Sequence, residues 1–123
     1  MVQVSPFWSH ISLTVEQAQE GQATAQIAVR DVLLNRVGTV QGGVLATLID
    51  VATGAAVSTM LPPEKTIVTT DLHVQYVLPA EGDVLYAHGV SKHIGRSLAV
   101  ATAEIYDAKQ QLVALGHASF RIR

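Results

Sequence analysis

The chain has 123 residues, a length that fits one domain, because two separate cores would each fall below the usual size for independent folding. Eight Lys and Arg residues against ten Asp and Glu residues give a formal net charge of −2, and 5% of the residues are aromatic. Such a chain has no broad surface that neutralises phosphates and few rings that stack on bases, so we expect no nucleic-acid partner.

The chain begins with two predicted strands. Residues 10–19 and 22–29 are short strand-like runs, and Glu20-Gly21 between them predicts a tight turn. The next stretch, residues 31–43, contains an asparagine and three glycines, a composition typical of irregular backbone. We therefore expect a β-hairpin followed by a loop.

A long helix is predicted from Val44 to Met60, since this segment is rich in Ala and Leu and is followed by two prolines. Its apolar residues point in nearly every direction around the axis, which indicates a buried helix. One narrow stripe of the helix is polar or small, and it consists of Thr47, Asp50, Gly54 and Ser58. Asp50 is the only charged residue in the predicted helix.

Four strands are predicted after the helix. Thr66–Leu78 alternates, with Val68 on its apolar face and Thr69, Asp71 and His73 on its polar face. Residues 83–93, 97–107 and 112–123 read as three further strands separated by short turns. Two strands, one buried helix and four strands predict an α+β fold in which an antiparallel sheet wraps around a central helix.

Asp50 and the glycines before the helix are the first candidate functional residues. A carboxylate in an apolar helix is costly unless it is hydrogen-bonded or faces a cavity, so Asp50 is either bonded within the protein or is a base or nucleophile in a pocket. Gly42 and Gly43 lie where the backbone N–H groups of a helix lack partners, and these groups can donate to a substrate carbonyl. Because about 12 Å of ideal helix separates Gly42 from Asp50, a site using both requires two chains or an irregular start of the helix.

The segment NRVGTVQGGVLATLIDVATG, residues 35–54, resembles the signature of the hotdog-fold acyl-CoA thioesterases of the phenylacetate-pathway type. In that signature an Asn, a Gly and a His-Gly-Gly triplet precede an acidic residue on the central helix. The resemblance continues through TTDLHVQYVLPA, residues 69–80, and LVALGHASFRI, residues 112–122. It implies a single hotdog thioesterase domain, residues 1–123, that hydrolyses an acyl-CoA to a free acid and CoA.

The resemblance also implies roles for individual residues. Asp50 becomes the catalytic carboxylate, which attacks the thioester carbonyl or activates water, and the Gly42 N–H of the partner subunit polarises that carbonyl. Thr69 corresponds to a hydroxyl that positions the attacking water in some members. Asn35 corresponds to a residue that orders the loop or contacts the thioester. An asparagine at this position is explained equally well as a turn residue that bonds to its own backbone. Gln41 replaces the usual His, and its amide donates a hydrogen bond but cannot shuttle a proton near neutral pH.

A second candidate region is the predicted hairpin tip near residue 95. The pattern alone indicates a solvated turn. The resemblance instead implies that basic residues of this tip bind the phosphates of CoA, and Arg96 is the main candidate. The substrate-binding candidates are Gly43, Lys92, Gly95, Arg96 and Ser97. Arg121 and Arg123 on the last strand are weaker candidates.

No metal or cofactor is expected. The chain contains no cysteine, and its five histidines lack the short ligand spacing of a metal site. The absence of cysteine indicates a cytoplasmic protein. The first residues show no targeting signal, and no apolar run reaches the roughly 18 residues that span a bilayer.

Two functions of different kinds fit these residues. The first is an acyl-CoA thioesterase that works as a homodimer or dimer of dimers, since the long alternating edge of Thr66–Leu78 invites pairing with a second copy. The alternative is a catalytically weak protein of the same fold that binds acyl-CoA or another hydrophobic ligand, which Gln41 favours. A hotdog dehydratase ranks last, because its His-Phe-Pro-Gly motif is absent from the sequence.

Overall fold

The computed structural model describes residues 5–123. The elements in chain order are α1 (Pro6–His10), β1 (Leu13–Gln19), β2 (Gln22–Ala28), a 3-10 turn (Asp31–Leu33), α2 (Gly42–Ser58), β3 (Ile67–Tyr76), β4 (Val84–Ile94), β5 (Leu98–Asp107) and β6 (Leu112–Ile122). The six strands form one antiparallel sheet in the order β1-β2-β4-β5-β6-β3. Helix α2 packs against all six strands. The predicted α+β fold, an antiparallel sheet around one long helix, is confirmed.

The prediction is wrong at the start of the chain, where α1 is a helix. The Ser5 side chain accepts a hydrogen bond from the Trp8 N–H at 3.2 Å, and Pro6 lies in the first turn, two features that start helices. His10 therefore ends a helix instead of beginning a strand, and β1 starts at Leu13. The short helix places Trp8, half-buried, against the main core.

Helix α2 is buried as predicted, but it starts at Gly42, two residues earlier than expected. Most of its side chains from Leu45 to Val57 lie in the core. The sheet approaches the helix closely at Gly89 of β4, where any Cβ would collide with the carbonyl oxygen of Ala52. The less buried positions of α2 follow the predicted stripe through Asp50 and Gly54.

Strand β3 forms one edge of the sheet and contains a β-bulge between Thr69 and Asp71 in its pairing with β6. The extra residue, Thr70, reverses the alternation of side chains along the strand. The predicted facing of Val68 and Thr69 is therefore wrong: Val68 is 44% exposed, and Thr69 points towards α2.

Beyond the bulge the predicted alternation holds. Leu72 and Val74 pack against the core, and the hydroxyl of Tyr76 reaches the start of α2. His73 lies on the outer face of the sheet, where it pairs with His117 of β6.

Candidate active site

Asp50 lies half-buried in the third turn of α2, beside the edge strand β3. The Thr69 hydroxyl donates a hydrogen bond to Asp50 Oδ1 at 2.8 Å. Within residues 5–123 no other side chain donates a hydrogen bond to this carboxylate. Asp50 is thus held by one neighbour on the protein side and is free to accept a proton or attack a carbonyl on the other.

An open cleft of about 670 Å³ begins at Asp50 and Thr69. Its walls are about equally polar and apolar, and they include Trp8, Phe120 and Lys65. Gly54, one helical turn beyond Asp50, is part of the lining, and a Cβ at this position would lie 3.6 Å from the Phe120 ring. The cleft thus places an acid beside apolar side chains that can contact an acyl group.

The two glycines at the start of α2 form the second half of the candidate site. In the part of the chain that the structure describes, the N–H groups of Gly42 and Gly43 have no hydrogen-bond acceptor. The Tyr76 hydroxyl donates to the Gly42 carbonyl oxygen at 2.8 Å, and a Cβ on Gly42 would lie 3.1 Å from that hydroxyl. Tyr76 thus holds this backbone through a contact that is tight for any larger residue at position 42, while the N–H groups of Gly42 and Gly43 stay free.

The acid and the donors face different clefts of one chain. Gly42 and Gly43 open into a cleft of about 480 Å³ that shares no lining residue with the Asp50 cleft. Helix α2 is regular from Gly42 through Asp50, so an irregular start does not bring the two together. A single chain therefore carries two half-sites, one at each position.

Two loop residues of the candidate site have clear positions. Asn35 Oδ1 accepts hydrogen bonds from the N–H groups of Val37 and Thr39 at 3.0 and 3.1 Å, and its Nδ2 donates to Thr39 Oγ1 at 2.8 Å. The Asn35 side chain therefore orders the loop. This agrees with the interpretation of Asn35 as a turn residue that bonds to its own backbone. Gln41 lies exposed at the N-cap of α2, and its side chain makes no hydrogen bond to any described residue.

The predicted hairpin tip joins β4 to β5, and it contains Gly95, Arg96 and Ser97, with Lys92 in a bulge just before it. None of these four residues lines the Asp50 or the Gly42 cleft of the same chain. The Ile122 N–H donates to the Ser97 carbonyl at 2.8 Å, which places the tip beside the basic end of β6.

Three residues of the clefts were missed by the sequence reasoning. Trp8 and Phe120 line the Asp50 cleft, and Tyr76 holds the Gly42 backbone. The Ser5-Pro6 pair before Trp8 is a helix-start signal that could have placed the tryptophan. No local pattern marks Phe120 or Tyr76, since their neighbours lie far away in sequence.

Other chemical groups lie outside these clefts. No three His, Cys, Asp or Glu side chains between residues 5 and 123 are close enough to hold a metal ion. On β5 the hydrogen bond that Tyr106 donates to Glu104 at 2.7 Å, with smaller effects of desolvation and charge, raises the pKa of the Tyr106 hydroxyl. None of the helices in the described region is long and apolar enough to cross a membrane.

Comparison with known proteins identifies the family of this chain. A family model described as "Thioesterase superfamily" matches residues 37–114, which include Asp50, Gly42 and most of the sheet. The Halobacterium salinarum protein named "Putative esterase VNG_1336C" is 36% identical over 93% of this chain and 82% of its own length.

Solved structures show the same fold. A Bacillus halodurans protein crystallised with CoA superposes with a TM-score of 0.91 at 28% identity, covering 98% of this chain and 80% of that one. A thioesterase of Haemophilus influenzae superposes with a TM-score of 0.89 at 20% identity, covering 95% and 82%, and is similar in fold.

The fold and the family match together define a hotdog-fold protein of the thioester hydrolase class. The chain belongs to the thioesterase superfamily.

Proposed function

We propose that this protein hydrolyses an acyl-CoA thioester at a site formed by two copies of the chain. The observation that carries the proposal is the separation of the two half-sites, because Gly42 and Gly43 do not line the cleft of Asp50 in their own chain. Pairing of two chains would bring Asp50 of one chain against the free N–H of Gly42 of the partner subunit. A bound thioester carbonyl would then lie between an acid and an oxyanion donor.

Two routes through Asp50 fit this arrangement. As a general base, Asp50 takes a proton from water, and the water oxygen adds to the carbonyl carbon. As a nucleophile, Asp50 adds to the carbonyl itself to form an anhydride, which water then hydrolyses. In both routes the Gly42 N–H stabilises the developing oxyanion, the C–S bond breaks, and the thiolate of CoA takes up a proton. The Thr69 hydroxyl supports either route by holding Asp50 in one orientation.

The Asp50 cleft would accept the acyl group. The apolar side chains of its walls would contact the acyl group, and Gly54, which has no side chain, leaves space for a chain or ring. The phosphates of CoA would bind at the basic hairpin tip, with Arg96 and Lys92 as partners and Arg121 nearby on β6. Since none of these residues lines the Asp50 or the Gly42 cleft of its own chain, the tip of one subunit is free to serve the site at the subunit boundary.

The edge strand β3 would form the subunit contact. It ends the sheet, and exposed apolar residues lie at both of its ends: Val68 near its start, and Val77 and Leu78 just after its last residue. Antiparallel pairing of two β3 strands joins the sheets without leaving a free edge there. The resulting homodimer, alone or as half of a tetramer, contains two copies of the shared site.

A steady-state assay tests the proposal. A panel of short, branched and aromatic acyl-CoA substrates is incubated with the protein, and the free thiol is detected. We expect turnover by the wild type and a loss of about 10²–10⁴-fold in kcat/KM for Asp50→Asn. Asp83→Asn, an exposed acid in the loop before β4, is the matched control and keeps wild-type rates.

Two outcomes contradict the proposal. Equal turnover by Asp50→Asn would remove Asp50 from the chemistry. Tight binding of acyl-CoA without thiol release on any substrate would instead support the ligand-binding alternative that Gln41 favours.

A further inference from the structure

Two histidines lie side by side on the outer face of the sheet, away from the candidate active site. His73 of β3 pairs directly with His117 of β6, and their rings stack with centroids 5.2 Å apart and planes 18° apart. Both side chains are exposed. Because β3 is the edge strand, no strand among residues 5–123 lies on the other side of His73.

The proposed shared site determines how a second β3 would pair with the first, so this inference rests on the proposed function. Thr69 lies beside Asp50, and Tyr76 lies beside Gly42. For Asp50 of one chain to face Gly42 of the partner, Thr69 must therefore lie opposite Tyr76 of the partner.

The β3 bulge then determines which residues pair at the centre. Both Thr69 and Tyr76 face α2, and Thr70 is the extra residue between Thr69 and Asp71. Counting inward from the Thr69–Tyr76 pair without Thr70, Asp71 pairs with Gln75 of the partner, and His73 pairs with its own copy. The two-fold axis of the dimer thus passes between the two His73 residues.

We propose that pairing of two chains creates a row of four imidazoles that binds a divalent transition-metal ion of the zinc, nickel or copper type. The row runs across four strands, from His117 to His73 of one chain and on to His73 and His117 of the partner subunit. The two His73 rings face each other across the axis and are the first ligands. The His117 rings stack behind them and hold them in place.

The chemistry of the row suits such an ion. Imidazole nitrogens are preferred ligands of zinc, nickel and copper, and water completes an open coordination sphere. Asp71 lies on the same outer face, next to His73 along β3, and its negative charge favours a cation there. No sequence spacing shows this site, because its ligands meet only across strands and across two chains.

Cysteine cross-linking tests the pairing itself. The chain has no native cysteine, so any disulfide must come from the introduced residue. Directly opposed residues of antiparallel strands have Cα atoms about 4.5 or 5.5 Å apart, which falls inside the roughly 4.4–6.8 Å range of disulfides. We expect His73→Cys to form a covalent dimer on mild oxidation. Asp71→Cys and Gln75→Cys should each fail alone and cross-link when the two variants are mixed.

Equilibrium dialysis against zinc chloride tests the ligand. We expect one zinc ion per two chains and no retention of magnesium. The His73→Ala variant should lose zinc affinity by at least about tenfold, the loss that a missing metal-site partner typically causes, and His117→Ala should lose less. His88→Ala, which removes another exposed histidine on β4, is the matched control and should bind zinc like the wild type.

Neither experiment depends on turnover, so the two proposals can fail separately. A stable dimer whose His73→Cys variant stays uncross-linked, or zinc binding that is equal in wild type and His73→Ala, would overturn the four-imidazole site. Cross-linking and zinc binding in a protein that releases no thiol would uphold this site and overturn the proposed hydrolysis.

Discussion

The two half-sites on α2 are built in different ways. The acid half consists of side chains, since the Asp50 carboxylate is positioned by the Thr69 hydroxyl at 2.8 Å. The donor half consists of backbone, since the Gly42 amide is positioned by the first turn of α2 and by Tyr76, which binds the Gly42 carbonyl at 2.8 Å. Activity should therefore fall when a substitution removes a functional group from the acid half. In the donor half it should fall when a substitution adds a side chain to Gly42.

The largest expected effects on activity come from two variants that each destroy one half-site. Asp50→Asn should cost about 10²–10⁴-fold in kcat/KM, and Gly42→Val, whose bulk displaces the donor, should cost about 10²–10³-fold. Mixing the two inactive variants creates heterodimers with one intact site each. We expect recovery to roughly a quarter of wild-type activity when the chains exchange at random.

The control for this complementation is a mixture of Asp50→Asn with Asp50→Asn,Gly42→Val chains, which contains no intact site. Activity in that mixture, or no recovery in the first mixture despite proven chain exchange, would show that the two residues do not share a site.

A smaller change to the donor half should also be costly. In Gly42→Ala the new methyl group would lie 3.1 Å from the Tyr76 hydroxyl oxygen, so either the Tyr76 side chain or the first turn of α2 must move by a few tenths of an ångström. We expect a loss of up to about 10²-fold, the scale of a 1 Å misplacement in an active site. Adding Tyr76→Phe removes the crowding oxygen, so the double variant should be more active than the product of the single effects. Strict additivity in a rate measurement would contradict the contact.

The acid half should tolerate the loss of its positioning hydroxyl better than the loss of its carboxylate. Thr69→Val keeps the shape of the side chain and removes the donor to Asp50. A hydrogen bond to a charged group contributes about 1.5–3 kcal/mol, so kcat should fall roughly tenfold or more. Thr70→Val, one residue along in the bulge, is the control and should keep wild-type kcat. A wild-type rate for Thr69→Val would show that Asp50 needs no positioning.

The smallest expected effect concerns the floor of the acid half. Gly54→Ala adds a methyl group 3.6 Å from the Phe120 ring, an ordinary contact that the fold accepts. Ala in place of a helical Gly should stabilise the protein by about 0.8–1.0 kcal/mol in denaturant unfolding. The same methyl group narrows the Asp50 cleft, so kcat/KM should fall several-fold for bulky acyl groups and stay unchanged for acetyl-CoA. An equal fall for all acyl groups would contradict an acyl channel at Gly54.

The sequence predicts the order of the main elements because their signals are local. The apolar run of α2, the turn at Glu20-Gly21 and the strand alternation each depend on neighbouring residues. The separation of Gly42 and Asp50 follows from helix geometry alone, and the structure retains it because α2 is regular.

The rest of the site depends on contacts between distant residues. Alternation places Thr69 on the wrong face, because a bulge is a property of strand pairing and leaves no local pattern. Tyr76 reaches Gly42, which precedes it by 34 residues, and only the packing of β3 on α2 brings them together. Asn35, by contrast, bonds within its own loop, so its structural role could be inferred from the sequence.

The bulge also determines which residues of β3 face helix α2. In a regular strand Thr69 and Asp71 would share one face, but the extra residue Thr70 lets Thr69 face Asp50 while Asp71 stays on the outer face. Deletion of Thr70 would make Thr69 and Asp71 direct neighbours, and regular alternation would then keep Thr69 towards Asp50 and Val68 towards solvent. An in-frame loss of this one codon should therefore preserve the hydrogen bond between Thr69 and Asp50, although it shortens the edge strand by one residue.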